Sequence, residues 1–101
     1  SSLPYATPFP ANKWYSFQLR ARALMNIKKY KQAISCLEKS DALKPKNIVN
    51  KANLAICYAA LGEKEKAISH FEQTVKFANG KEKRFIKNLK NILSSKGVEI
   101  E

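Results

Sequence analysis

The sequence predicts an all-α protein in which two helical hairpins stack in a short superhelix and a C-terminal helix caps them. Three observations support this prediction: apolar residues recur at helical spacing, only three glycines and four prolines interrupt the 101 residues, and the pattern repeats along the chain. We therefore expect one helical domain over residues 12–96. An extended arm over residues 1–11 precedes it, and a tail over residues 97–101 follows it.

The internal repeat is clearest at the tripeptide Ala33–Ser35, which recurs as Ala67–Ser69 after a shift of 34 residues. Elsewhere in the two halves the match lies in side-chain size and polarity, which is what packing requires of a structural repeat. The shift divides the domain into one unit over residues 14–47 and a second unit over residues 48–81.

The N-terminal segment differs from the rest of the chain in its prolines. Pro4, Pro8 and Pro10 exclude a helix interior there, so residues 1–11 are expected to be extended. Two apolar stripes then predict two helices in the first unit. The first stripe consists of Trp14, Phe17, Ala21, Leu24 and Ile27, and the second of Ala33, Ile34, Leu37 and Leu43. Pro45 follows, as expected just beyond a helix end.

The second unit repeats this arrangement. Its first stripe consists of Ile48, Ala52, Ala55, Ile56 and Ala59, and its second of Ala67, Ile68, Phe71, Val75 and Phe77. Gly62 separates the two stripes at a point where a helix C-cap or a tight turn favours glycine. The second stripe ends before Asn79 and Gly80. Each unit is thus expected to be a helical hairpin.

A further amphipathic segment covers residues 82–96. Its apolar side consists of Phe85, Ile86, Leu89, Ile92 and Leu93, and its polar side of Lys83, Arg84, Lys87, Lys90 and Asn91. The segment fits either the first helix of a third unit or a capping helix. Because a terminal unit needs a polar outer face for solubility, we interpret it as the cap.

The order of bulky and small residues resembles that of the tetratricopeptide repeat. The positions that carry the resemblance are Phe17, Ala21, Leu24, Ala33, Leu37, Ser40 and Pro45 in the first unit, and Leu54, Ala55, Tyr58, Gly62, Ala67, Phe71 and Thr74 in the second. The small residues have a physical role, because helix backbones approach closely only where side chains are short. The departures are Arg20 for the usual Leu, Lys28 for Gly, Lys51 for a bulky apolar residue and Asn79 for the closing Pro.

The resemblance implies that the chain binds a peptide or a partner protein on the hollow side of the stack, which the first helix of each hairpin lines. The residues expected to contact the peptide are Gln18, Arg22, Asn53, Ile56, Lys83, Ile86 and Lys87. The hollow is expected to include Tyr15, Leu19, Met25, Val49, Ala60 and Lys90 as well.

One form of this site is suggested by tetratricopeptide repeats that hold the acidic C-terminus of a heat-shock chaperone with Lys, Asn and Arg side chains. Asn53 and Lys83 match that set, and Lys87 keeps the charge of the usual Arg. Gln18 and Arg22 depart from it. The resemblance therefore implies a co-chaperone-like adaptor for an acidic peptide. A groove for another ligand, and packing against other domains or a second copy, stay open.

The chain is strongly basic, with a net charge of +11 and no acidic residue before Glu38. A field of this sign favours an anionic partner, and nucleic acid, an acidic peptide and an anionic membrane surface all qualify. Phosphate contacts by the lysine-rich C-terminal helix make nucleic-acid binding the alternative function. We favour a protein partner, because no stacking aromatics alternate with the charges on that helix.

Nothing in the sequence indicates catalysis, a cofactor or a metal. Cys36 and Cys57 lack metal-ligand spacing and are expected to be reduced residues of the core. His70 has no evident triad partner, and no glycine-rich phosphate loop is present. No apolar run approaches the ~18–20 residues that cross a bilayer. We therefore predict a non-enzymatic cytoplasmic protein, and because the chain starts at Ser1 we expect it to be part of a longer one.

Overall fold

The computed structural model describes the backbone of residues 9–100 and the side chains of residues 13–100. All regular secondary structure in that part of the chain is helical. The five helices are α1 (Phe9–Asn26), α2 (Tyr30–Leu43), α3 (Ile48–Ala60), α4 (Lys64–Ala78) and α5 (Lys83–Ser95). These helices confirm the predicted all-α fold.

The helices pair in the predicted order. Helix α1 packs along α2, and α3 packs along α4, so each pair forms a hairpin. Helix α2 also packs against α3, which joins the two hairpins, and α5 packs against both α3 and α4. Helices α1, α3 and α5 are thus the first helices of successive units in the stack.

The N-terminal boundary differs from the prediction. Helix α1 begins at Phe9, so the expectation of extended chain is wrong for residues 9–11. Pro10 is tolerated because it lies in the first turn, where backbone N–H groups have no acceptor within the helix. The rest of the predicted arm, residues 1–8, lies outside the described residues.

Two apolar clusters form the core. The first joins the two hairpins and consists of Ala21, Ala33, Ile34, Leu37, Leu54 and Cys57. The second lies between α3, α4 and α5 and consists of Ala52, Ala55, Ala59, Ala67, Phe71, Leu89, Leu93 and Val98. The alanines that the repeat pattern singles out are fully buried, which allows the helices to approach closely. Larger side chains at these positions would overpack the core.

The segment after α5 contributes to this second cluster. Val98 is 2% exposed, and its backbone N–H donates to the carbonyl oxygen of Leu93 at 2.9 Å. A hydrogen bond of this kind commonly brings an apolar residue beyond the helix onto the last helical turn. Ile100 packs against the same cluster. The beginning of the predicted tail is therefore held to the body of the protein.

Four apolar residues that the sequence pattern assigned to buried stripes lie at the surface instead: Ile27, Leu43, Val75 and Ile92. Ile27 is 61% exposed because α1 ends at Asn26, which leaves Ile27 in the turn. In α4, Thr74 and Ala78 take the buried positions rather than Val75. The core-facing stripe of that helix is therefore rotated slightly from the predicted one.

A buried polar network connects α1, α2 and α3. The Ser40 hydroxyl donates to the Trp14 carbonyl oxygen at 2.7 Å, and the Asn50 amide Nδ2 donates to Ser40 Oγ at 2.9 Å. On the other side, Gln18 Nε2 donates to Asn50 Oδ1 at 2.9 Å and lies 3.3 Å from Asn47 Oδ1. Ser40 and Asn50 are fully buried. These bonds satisfy polar groups that would otherwise destabilise the core.

The unusual lysine in α3 is explained by its partners. Lys51 is 7% exposed, and its ammonium group lies 2.9 Å from Asp41 Oδ2 of α2. The same ammonium lies 5.6 Å from the centre of the Phe77 ring. A lysine stem can cover apolar surface while its charged end meets a carboxylate and an aromatic face. Lys51 thus replaces the bulky apolar residue of the repeat pattern.

The three first helices end in the same hydrogen-bonded turn. In each, an N–H group beyond the helix donates to a carbonyl oxygen five residues earlier: Lys29 to Leu24 at 2.8 Å, Glu63 to Tyr58 at 2.9 Å and Val98 to Leu93 at 2.9 Å. The residue before each donor has a positive φ: 62° at Lys28, 80° at Gly62 and 90° at Gly97. Glycine adopts this conformation without steric cost, so the strained member of the set is Lys28.

Replacing Lys28 with glycine is expected to stabilise the protein. We expect Lys28→Gly to raise the free energy of unfolding by about 1 kcal/mol, because it removes the steric cost of a left-handed lysine. Urea denaturation measures this change. Lys29→Gly is the matched control, because it removes the same charge from a residue whose φ is −94° and should not stabilise. Equal stability changes in the two variants would contradict the explanation.

Candidate functional site

The first helices of the three units are linked in succession. The Gln18–Asn50 hydrogen bond joins α1 to α3, and α3 packs against α5. We define the first-helix face by the exposed and half-buried residues at the positions that the repeat pattern predicts to face the hollow. These are Tyr15, Leu19 and Arg22 on α1, Val49, Asn53 and Ile56 on α3, and Lys83, Ile86, Lys87 and Lys90 on α5.

Gln18 is not available on this face, contrary to its predicted role as a peptide contact. It is 7% exposed, and its side-chain amide is directed into the buried network with Asn47 and Asn50. The glutamine is one helical turn from exposed Tyr15 and Arg22, so its position along the helix alone did not reveal this. The missed signal was the concentration of small polar residues at Ser40 and Asn50, inside otherwise apolar stripes.

The α1 part of the face is largely apolar. Tyr15 is 48% exposed and Leu19 is 46% exposed, one turn further along the helix. The Tyr15 ring meets the Trp14 ring edge-on, with the ring centres 5.6 Å apart. Arg22 follows on the same side and is exposed. This part of the face therefore presents two large apolar side chains and one cation.

The α3 part of the face is half-buried. Ile56 packs against the cluster beneath α5 and leaves part of its side chain accessible. Asn53, one turn earlier, is half-buried and makes no side-chain hydrogen bond within the described part of the chain. An asparagine amide both donates and accepts, so Asn53 can pair with the backbone of an extended peptide.

The α5 part of the face is basic. Lys83 and Lys87 are exposed and stand one turn apart, and Lys90 continues the row. Ile86 is half-buried against the second core cluster. Lys83 and Ile86 also line a shallow pocket of about 200 Å³ where α5 meets the end of α4. The other residues of that pocket are Val75, Ala78, Gly80 and Lys81.

The cations of the face have no carboxylate partners among residues 13–100. The two ion pairs found there are Lys51–Asp41 and Lys66–Glu63, and both lie off the face. Ile56 of α3 and Ile86 of α5 pack against the same core cluster, which places the α3 part of the face next to the α5 part. The face can therefore attract anionic groups, most strongly at α5.

The groups capable of chemistry elsewhere are used locally. His70 Nδ1 lies 2.9 Å from the Lys66 carbonyl oxygen, and its ring stacks on Tyr58 with the centres 5.2 Å apart. Cys36 and Cys57 are free thiols, half-buried and buried respectively. Among the residues that the structure describes, no three potential metal ligands cluster, and no helix is both long and apolar enough to cross a membrane.

The comparison with protein families gives one match. A family model described as tetratricopeptide repeat matches residues 10–83, which is well over half of the chain. The matched segment covers both hairpins except Phe9 and ends at the first residue of α5. No curated protein and no solved structure matches the chain.

Truncation of Gln18 is expected to affect stability rather than ligand binding. Gln18→Ala leaves the buried Asn50 oxygen without its donor and should lower the free energy of unfolding by about 1–3 kcal/mol. Arg22→Ala, on the exposed side of the same helix, should change it by less than about 0.5 kcal/mol. Thermal or urea unfolding of both variants tests this difference. Similar small effects would show that the network contributes little.

The Cys57 thiol gives an expected pH dependence. Burial raises the pKa of this thiol from 9.0 to about 12, and the Lys96 charge acts in the opposite direction. The unfolded chain therefore releases this proton at lower pH than the folded chain. The stabilising effect is complete below pH 9 and is lost as the pH rises from 9 towards 12.

We expect the wild-type free energy of unfolding to fall, relative to that of Cys57→Ala, by about 1.4 kcal/mol per pH unit above pH 9. Denaturation of wild type and Cys57→Ala under reducing conditions at several alkaline pH values measures this difference. Because both proteins contain the other titrating groups, the contributions of those groups cancel. Parallel curves for wild type and Cys57→Ala would contradict the elevated pKa.

Proposed function

The chain belongs to the tetratricopeptide repeat family, whose members generally mediate protein–protein interaction and are typically non-catalytic, and on this premise we propose that it binds an extended acidic segment of a partner protein. The proposed surface is the first-helix face. Asn53 would pair with the ligand backbone, Ile56 and Ile86 would contact its apolar side chains, and the cations would meet its carboxylates. The chain would thus act as a non-enzymatic adaptor.

The observation that carries this proposal is the row of unpaired lysines on α5. Lys83 and Lys87 are exposed, and neither forms an ion pair with a residue in the described range. With a net charge of +11, the chain has few carboxylates of its own to neutralise them. Complementary charge accelerates association and discriminates between partners, so an acidic ligand fits this surface best.

An acidic peptide is favoured over nucleic acid by the surroundings of these lysines. Single-stranded nucleic acids are usually held by aromatic rings on which bases stack. The aromatic residue of α5, Phe85, is half-buried with the second core cluster instead. Polyanion binding by the lysine-rich helix stays the alternative. A cytoplasmic adaptor agrees with two free thiols, because thiols stay reduced in that compartment.

Charge reversal on α5 tests the proposed function. The probe is a fluorescein-labelled nonapeptide with four glutamates, compared with the same peptide carrying glutamines. We expect the glutamate peptide to bind, and Lys83→Glu with Lys87→Glu to weaken its binding at least about tenfold, which corresponds to about 1.4 kcal/mol. Fluorescence anisotropy at about 0.1 M salt measures both, since exposed charges are still effective there.

The matched control is Lys31→Glu with Lys64→Glu, which changes the net charge equally on exposed residues at the start of α2 and α4. It should weaken binding less than about threefold. Equal losses in the two double variants would indicate diffuse charge attraction and sink the site assignment. If a labelled oligothymidylate binds and the glutamate peptide does not, the polyanion alternative replaces the proposal.

A further inference from the structure

The first-helix face differs chemically at its two edges. At the α1 edge, Tyr15 and Leu19 expose nearly half of their side chains. At the α5 edge, Lys83, Lys87 and Lys90 form a basic row. The large apolar residues of α5 beside this row are Ile86, which is half-buried, and Leu89, which is buried. One edge thus offers apolar contact area, and the other offers positive charge.

The part of the α1 edge around Tyr15 and Leu19 is apolar because the Gln18 side chain faces inward. Gln18 lies between Tyr15 and Leu19 in sequence, and its amide is used by Asn47 and Asn50. The exposed residues that follow this helical spacing are Tyr15, Leu19, Arg22 and Asn26, whereas the exposed cations Lys13 and Arg20 lie on another side of α1. This side therefore presents one cation to an anionic group, compared with the three lysines of α5.

Tyr15 is suited to be an anchor for a ligand. Its ring meets the edge of the Trp14 ring at 5.6 Å between centres, and the Trp14 backbone carbonyl accepts the hydrogen bond from buried Ser40. These contacts restrain Trp14 and Tyr15 in the N-terminal half of α1. Rigid aromatic side chains contribute strongly to binding, because they lose little conformational entropy when a partner contacts them.

The width of the face sets the length of the ligand. Neighbouring helices typically lie about 8–10 Å apart. With that spacing for the α1–α3 step, which the Gln18–Asn50 hydrogen bond bridges, and for the α3–α5 step, the α1 and α5 edges are about 16–20 Å apart. An extended chain advances about 3.3 Å per residue, and about five or six residues span that distance. Asn53 lies on α3 between the edges, where it can hold the ligand backbone.

From this asymmetry we infer that the partner segment is bipartite, with carboxylates that meet the α5 lysines and a large apolar side chain, about five residues away, that packs on Tyr15 and Leu19. This inference rests on the proposed function and specifies the chemistry of its ligand. It also fixes how a given segment lies across the face, because the opposite placement would put carboxylates on the apolar edge and the apolar side chain among lysines.

The test uses labelled peptides of one composition in three arrangements. In two of them a block of three glutamates and a single tryptophan stand at opposite ends, in either order, with five residues between their centres. In the third, the tryptophan stands among the glutamates. A fourth peptide keeps the glutamates and replaces tryptophan with alanine. We expect at least one of the two ordered peptides to bind at least about tenfold more tightly than the mixed peptide and the alanine peptide.

The variant Tyr15→Ser with Leu19→Ser should remove most of that advantage and leave binding of the alanine peptide unchanged. Ile27→Ser with Leu43→Ser is the matched control, because these apolar residues are exposed to a similar or greater extent but lie off the first-helix face. It should change the affinity for the ordered peptide less than about twofold. Circular dichroism of all variants verifies that their helical content is retained.

The possible outcomes separate the two proposals. If the glutamate peptides bind through α5 but the ordered and mixed arrangements bind equally, the bipartite ligand is wrong and the acidic ligand stands. If both serine variants weaken binding equally, the α1 edge is not the apolar site. If no glutamate-containing peptide binds at all, the proposed function fails together with this inference.

Discussion

Hydrogen bonding between buried amides and a hydroxyl is the constraint on which the rest of the structure depends. Asn50 receives a hydrogen bond from Gln18 of α1 and donates one to Ser40 of α2, so a single α3 side chain holds both helices of the first hairpin. A shift of α1 along α3 would leave buried polar groups unpaired, and apolar packing alone does not resist such a shift as strongly. The network therefore fixes the register of the first-helix face. It also withdraws Gln18 from solvent, which makes the α1 edge apolar.

Most of the fold could be predicted from sequence because the repeated pattern of side-chain size and polarity reflects how the helices pack. The fully buried alanines Ala33 and Ala67 are equivalent positions of the repeat, and the turns at Lys28 and Gly62 follow the same shift. The ends were harder to predict. Proline excludes a helix interior but not a first turn, so the start of α1 at Phe9 was missed. Val98 was assigned to a tail, because a single apolar residue after a glycine has no periodicity to indicate burial.

The candidate site was predicted less completely, and for a different reason. Helical spacing indicates which way a residue points, but it does not show whether a polar side chain finds a partner across an interface. Gln18 and Arg22 were both predicted to face the hollow, yet Gln18 is hydrogen-bonded inside the protein and Arg22 is exposed. Lys51 illustrates the same limit, since its burial depends on Asp41 and Phe77 from two other helices. The exposure of Lys83 and Lys87 was easier to predict, because a surface charge requires no partner within the chain.

The left-handed lysine in the first turn bears on how the domain opens. In a repeat array, stability is approximately a sum of contributions from each unit and each interface, and the units of lowest stability open most readily. The turn of the first hairpin contains the strained Lys28, whereas the corresponding turn of the second hairpin contains Gly62. Local opening should therefore begin with α1 and α2. Tyr15 and Leu19 would be displaced while the α5 lysines stayed in place, and a ligand that reached both edges would hold the first hairpin closed by mass action. Binding of the ligand would then also order the first hairpin. Tyr15 and Leu19, which would contact the ligand, would lie in the part of the protein that binding stabilises most.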